Sequence, residues 1–295
     1  MTKLVRLDCF LIAVVTDTVK YIEALKQAEA LSEQHGHKVA DMPMAVQAMA
    51  NYPKVREAIR PERINTLTGE YHGLNGGARS YRVLHSFGPL KTADGFEKAL
   101  SNAGDYALMP LSDNDWNAIG KGSYNGQQVD IVDLHGLRNG KVPSPGTPYV
   151  VDLAIPNDYK LIPLDADIKE ALKMHNSGSL TIFERGQLSA DQFRLDDRVA
   201  SVAGSPESVE RLVKLLFSKK EEAGEGWSSV GSYHRIGEVG FNPNAKARLV
   251  FLSYNDGGFG GSSCDGYLGR FVTLAGSPVG ANPQGLAQQR LEKIA

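Results

Sequence analysis

Cysteine is scarce: Cys9 and Cys264 are the only two in 295 residues. Two cysteines cannot build a disulfide framework, and no Cys-x-x-Cys pair is present to hold zinc. Whether the two meet in the fold is open at this level. An excess of one charge is also lacking. The 32 Lys and Arg face 34 Asp and Glu, for a formal net charge of −2. That balance argues against a broad electrostatic grip on nucleic acid or on an anionic membrane. The longest basic run, Lys219-Lys220, is cancelled at once by Glu221-Glu222. Nucleic acid and membrane are therefore not expected partners. Long apolar runs are missing too. The stretch from Cys9 to Val15 falls far short of the about 20 residues of a membrane span. Lys3 and Arg6 precede it as in an export signal, but Asp8 interrupts and no small-residue cleavage site follows. The reading is a buried first strand in a soluble protein with a cytoplasmic address, of a cell or of a virus-infected cell. No internal repeat or extended low-complexity tract points to a solenoid.

What is present is ordinary globular usage, 42% hydrophobic and 22% charged. Val, Ile, Leu and Phe crowd Leu4 to Val15, which predicts one strand buried on both faces. Thr16 or Asp17 is expected to cap a helix with Val19, Ile22, Leu25, Ala28 and Leu31 on one stripe, stopped by Gly36. A short helix follows Asp41. Five glycines and prolines from Pro61 to Gly77 read as loop. Alternation over Tyr81, Val83, His85 and Phe87 predicts a strand. A helix from Ala93 and a strand from Tyr106 to Leu111 would complete a β-α-β unit. Ser112 with Asp115 marks a helix start, and Gln127 to His135 reads as a further strand. In the second half, strands are expected at 149–155, 160–164, 180–184, 198–203, 249–254 and 271–274. Helices are expected after Asp165, after the cap Ser205, and from Gly285 to Ile294.

The fold class is thus α+β (mixed α/β): mixed β-sheets covered by helices, with no claim to a barrel or a Rossmann fold. The segment 138–148, with three prolines and two glycines, is the linker candidate. It divides the chain into 1–140 and 147–295, as two α/β domains or as parts of one.

Three constellations could carry chemistry. On a strand, Asp133 and His135 share a face two residues apart, a pairing suited to a divalent metal or an oriented general base. Asp133-Leu134-His135 resembles the Asp-x-His that opens metallophosphoesterases. The Gly-Asp and Asn-His elements that the family carries downstream are absent here. The second is the glycine-rich run Asp256 to Gly266. Gly258, Gly260 and Gly261 allow close backbone approach, Ser262 and Ser263 offer hydroxyls, and Cys264 is a candidate nucleophile. His234 is its candidate partner by nearness along the chain. The run lacks the Lys-Ser/Thr of a P-loop and the Gly-x-Ser-x-Gly elbow. The third is the loop Tyr71 to Arg79, where His72 and Arg79 could bind an anion. Of the other histidines, His85 reads as a hydrogen-bonded core residue, and His175 as a cation favoured by a helix C-terminus. Asp113, Asp115 and Asn117 begin like an EF-hand loop but lack its Gly and Glu, so a capped helix is the reading.

Two functions follow. The first is a non-catalytic binding or assembly protein, of viral or mobile-element type, that forms a homo-oligomer and uses its glycine loops for contact. The second is a metal-assisted hydrolase or phosphoesterase, with Asp133 and His135 beside a glycine loop.

Overall fold

The computed structural model describes residues 2–7, 10–15, 21–53, 55–56, 63–101, 109–184, 186–217, 229–230, 246–253, 258–261 and 272–275. Thr2–Leu7 (β1) and Phe10–Val15 (β2) come first, then Tyr21–His35 (α1), His37–Val39 (β3) and Met42–Asn51 (α2). Arg63–Asn75 (β4) and Ala78–His85 (β5) lead through a 3-10 turn at Pro89–Lys91 to Ala93–Ser101 (α3), Met109–Pro110 (β6) and Asp113–Ile119 (α4). Next are Ser123–Tyr124 (β7), Gln127–Gln128 (β8), Asp130–Val132 (β9), Leu134–Arg138 (α5) and Tyr149–Ile155 (β10). Ile168–Asn176 (α6), Gly186–Gln187 (β11), Ala190–Leu195 (α7), Asp197–Ala203 (α8) and Pro206–Phe217 (α9) follow. Ser229–Val230 (β12), Lys246–Ser253 (β13), Gly258–Gly261 (β14) and Val272–Ala275 (β15) close the series.

The central sheet runs β14-β13-β4-β5-β10-β9, with β6 also on β13. All its pairs are antiparallel except β9 with β10, which makes it mixed. A smaller antiparallel sheet runs β1-β2-β15-β3. The α+β class read from the sequence holds. Strands from both sides of 138–148 share the central sheet, since β10 pairs with β5 and β9.

Period-two alternation explains how helices cover both faces of that sheet. Tyr81 and Val83 of β5 and Tyr149, Val151 and Leu153 of β10 share one face. They pack into the core with Met42, Val46 and Met49 of α2, Val199 and Val202 of α8, and Leu212 and Leu216 of α9. Tyr71, Leu84 and Val150 point the other way. They meet Ala24, Leu25 and Ala28 of α1, Phe96 of α3, and Trp116 and Ile119 of α4.

His85 stitches the first core together. Its Nε2–H donates to the Ser201 carbonyl at 2.9 Å, so its Nδ1 accepts the Thr68 hydroxyl at 3.0 Å. Thr68 Oγ1 accepts in turn from the Met42 amide at 2.9 Å. The ring stacks on Tyr149, centroids 4.5 Å apart. This is the hydrogen-bonded core histidine that the sequence predicts. Burial drives the imidazole down to about 3, against the Ser201 bond that raises it.

Nearby Asp41 caps α2 through the Met44 amide and accepts from Ser86 Oγ, both at 3.0 Å. Burial pushes its carboxyl up to about 6, more than these bonds and Lys38 pull it down. The two shifts act oppositely on stability. Between pH 6.5 and about 3 the unfolded His85 binds the extra proton, so acid destabilises. Between pH 6 and about 4 the folded Asp41 holds the extra proton, so acid stabilises. In the wild type the two slopes largely offset down to about pH 4, and the loss shows below it. His85→Gln keeps a donor and an acceptor but removes the titration. Its stability relative to wild type should rise by about 2–3 kcal/mol between pH 6.5 and 4. Urea midpoints at pH 7, 5 and 4 check this, and parallel pH profiles for the two proteins would sink it.

Several expected elements change. Leu4 to Val15 is a hairpin rather than one strand, with Leu7 paired to Phe10. Of Arg60 to Arg79, the described part, 63–79, is mostly strand, because within it only Gly76 and Gly77 turn the chain, at φ 58° and 88°. Such a left-handed pair matches the twist of a two-residue hairpin. The β-α-β unit is not formed: β6 pairs antiparallel with β13. Residues 160–164 and 180–184 make only a single parallel bridge, Ile162 to Phe183. Residues 198–203 are helix α8, not strand. Asp196 caps it through the Arg198 and Val199 amides, and left-handed Gly204 ends it. Asp167 rather than Asp165 caps α6. The helix expected over 285–294 and the cap at Thr16 or Asp17 lie outside the described residues. No described helix is long and apolar enough to cross a membrane.

Candidate functional site

The Asp133–His135 constellation loses its geometric premise. The strand ends at Val132 and Asp133 becomes the N-cap of α5, accepting from the Gly136 amide at 2.7 Å. A carboxylate one residue past a strand satisfies an unpaired helix amide more readily than it extends a ladder. His135 then sits within the helix, and its ring meets the Asn139 side-chain amide at 3.3 Å. Both side chains are exposed. No group of three or more His, Cys, Asp or Glu placed to hold a metal occurs among the described residues.

His72 and Arg79 lie on the β4–β5 hairpin, not on a loop. Their register partners are Tyr81 and Leu74, so the two share one face as diagonal neighbours. The His72 ring lies 5.0 Å from Tyr81. Arg79 Nη2 donates to the carbonyls of Pro156 and Asn157 at 2.5 and 2.8 Å, which ties the hairpin to the end of β10. Gly258, Gly260 and Gly261 form β14, the terminal strand of the central sheet, opposite Ser253, Phe251 and Val250. Part of the expected glycine loop is therefore strand, the outermost of that sheet among the described residues. Ser262, Ser263, Cys264, Cys9 and His234 lie outside the described residues. Asp113 and Asp115 sit in α4, which Ser112 caps through the Asp115 amide at 3.1 Å.

His175 reverses its expected electrostatics. Its half-buried ring meets Thr181 Oγ1 at 3.1 Å. Burial first, and then the Arg138 charge, lower its pKa. The helix C-terminus does not outweigh them.

Most buried charge is committed to the framework. Arg138 forks onto Asp197 at 2.8 and 2.6 Å and donates to the carbonyls of His175 and Ser179. Asp197 also accepts from the Thr181 amide and hydroxyl. Arg82, on the other face of the sheet, pairs with Asp152 at 2.8 Å and lies 3.8 Å from the Trp116 ring centroid. Glu70 accepts from the Tyr81 hydroxyl at 2.6 Å. The register also sets Arg248 opposite Glu70.

A cavity of ≈ 490 Å³ opens where three pieces of chain meet. These are the start of α2, the segment from Arg138 to Pro145, and the first turn of α9. Gln47, Arg138, Ser144, Ser205, Glu207 and Arg211 are among its lining residues. Ser205 caps α9, accepting from the Ser208 amide at 3.1 Å. Arg211 Nη2 meets Glu207 at 2.7 Å. The segment is pinned at its far end, where Lys38 Nζ donates to the Gly146 carbonyl at 2.9 Å and the Gly146 amide bonds Asp41. Sequence patterns foretold the Ser205–Pro206 helix start and the proline-rich segment separately. Nothing in their spacing shows that the two face one cavity.

No protein-family model and no curated protein matches the chain. One solved structure does match, described as accommodation of massive sequence variation in Nanoarchaeota by the C-type lectin fold. It is similar with a TM-score of 0.57, over 91% of this chain and 100% of that one, at 13% identity. At that identity the likeness is one of fold alone.

Proposed function

Proceeding from that C-type-lectin-like α+β fold, we propose that the chain is a non-catalytic binding protein. Its contact surface centres on the glycine-rich run 256–266. The observation that carries this reading is the place of Gly258–Gly261 as the outermost strand of the central sheet among the described residues. A terminal strand offers a partner one unpaired row of backbone amides and carbonyls. Its glycines put no side chains in the way of close approach. The framework behind it is held by buried ion pairs and hydrogen bonds, which leaves the run free to vary. The structural neighbour is described as accommodating sequence variation on the same fold, and this supports the division of labour.

The experiment replaces Ser262, Ser263 and Cys264 together with alanine. The melting temperature should move by less than about 3 °C, that is, by no more than about 1 kcal/mol. Binding to immobilised peptide and glycan arrays, present in the wild-type chain, should be lost. Sedimentation velocity of the same pair tests whether one bound partner is a second copy of this chain. Hydrolysis of p-nitrophenyl phosphate by the wild type, abolished in Asp133→Ala, would overturn the reading in favour of the hydrolase.

A further inference from the structure

The ≈ 490 Å³ cavity falls in the size range of small-molecule sites. It uses none of the residues of the glycine-rich run, so its role goes beyond the reading above. Its wall from Val142 to Pro145 contains two prolines, which fix φ and leave little freedom to collapse inward. Its floor is the first turn of α9, a helix of 12 residues with its positive end toward the space.

Two arginines line the cavity, and they differ in what their guanidiniums can still do. Arg138 is engaged by both Asp197 oxygens, two carbonyls and Thr181. Arg211 makes one contact, to a single oxygen of Glu207. The Glu207 side chain is 77% exposed, so this pair is weak and screened by solvent. Glu207 can rotate into water, whereas Arg211 is 75% covered and stays at the cavity wall. The Glu207 carboxylate thus stands where an incoming anion would meet both Arg211 and the helix end. Ser144, Ser205, Ser208 and Gln47, all neutral and capable of hydrogen bonding, are also among the lining residues.

We propose that this cavity binds a small anion bearing a carboxylate or phosphate, which displaces Glu207 and is gripped by the Arg211 fork. A planar guanidinium matches either group through two parallel hydrogen bonds.

The test titrates the full chain with inorganic phosphate and, separately, with citrate. Isothermal calorimetry is run at fixed ionic strength set with sodium chloride. Saturable binding of at least one of the two is expected. Glu207→Gln removes the competing carboxylate and should tighten it about threefold to fivefold. Arg211→Met should weaken it at least about tenfold. Arg211→Lys, which keeps the charge but not the fork, should fall between and guards against a folding defect in the methionine variant. Phosphate binding alone or citrate binding alone each supports the site and identifies its anion. No saturable heat with either anion overturns the proposal. So does binding that survives unchanged in Arg211→Met.

Discussion

Arg82→Met should destabilise the protein by about 3–5 kcal/mol, read as a lower denaturant midpoint at unchanged slope. Arg82 is the largest fully buried side chain among the described residues. Its Nε donates to Asp152, the residue directly opposite on β10, and its Nη1 to the Trp116 carbonyl at 2.7 Å. Its plane covers the Trp116 indole, whose Nε1 reaches back to the Leu74 carbonyl at 2.7 Å. One side chain thereby docks α4 onto the sheet. Methionine fills part of the volume but leaves Asp152 without its cation and the Trp116 carbonyl without its donor.

Gly120 gives an independent check. A Cβ there would lie 2.4 Å from Arg82 Nη2, yet its φ of −65° is ordinary for any residue. Gly120→Ala should therefore destabilise the wild type by about 1–3 kcal/mol through overpacking. In the Arg82→Met background it should be neutral or stabilising by up to about 1 kcal/mol. Equal effects in both backgrounds would show that Arg82 is not what reserves that space.

Asp197→Ala should cost a similar about 3–5 kcal/mol, for a different reason. Asp197 has no exposed surface and accepts from Arg138 twice and from the Thr181 amide at 2.6 Å. Truncation leaves a mostly buried guanidinium without its counter-ion and a buried N–H without an acceptor. The loss links α5, α6 and α8, because Arg138 also ties down the His175 and Ser179 carbonyls. In the double variant with Arg138→Met, at least about 1 kcal/mol of the summed losses should be recovered, since no unpaired charge then remains. Strict additivity in urea unfolding would sink the account.

Local chemistry made much of the fold readable beforehand. The helix starts at Asp41, Ser112 and Ser205 each carry a side-chain acceptor that satisfies a first-turn amide. The alternation from Tyr81 to His85 shows because the two sheet faces pack against different helices. The failures have one pattern. The run 198–203 is expected as a strand, but a helix packed on the sheet buries its Val199 and Val202, and the caps Asp196 and Gly204 outweigh their β-branching. Gly69 and Gly73 suggested a loop, but paired neighbours on β5 and β13 hold them in strand β4. Asp133 and His135 seemed to share a face because the strand was carried past Val132, where the cap begins.

From the amino-acid order alone came the class of the fold, the balance of charge, and the segments with a buried face. The charge balance follows from composition, and the others depend on residues within a few positions of one another, where spacing and side-chain type suffice. The pairing of Arg82 with Asp152, of Arg138 with Asp197, and the meeting of the proline segment with the start of α9 were settled only by the folded chain. These partners are separated by dozens of residues, and their contact depends on how strands and helices stack. No local period encodes that geometry.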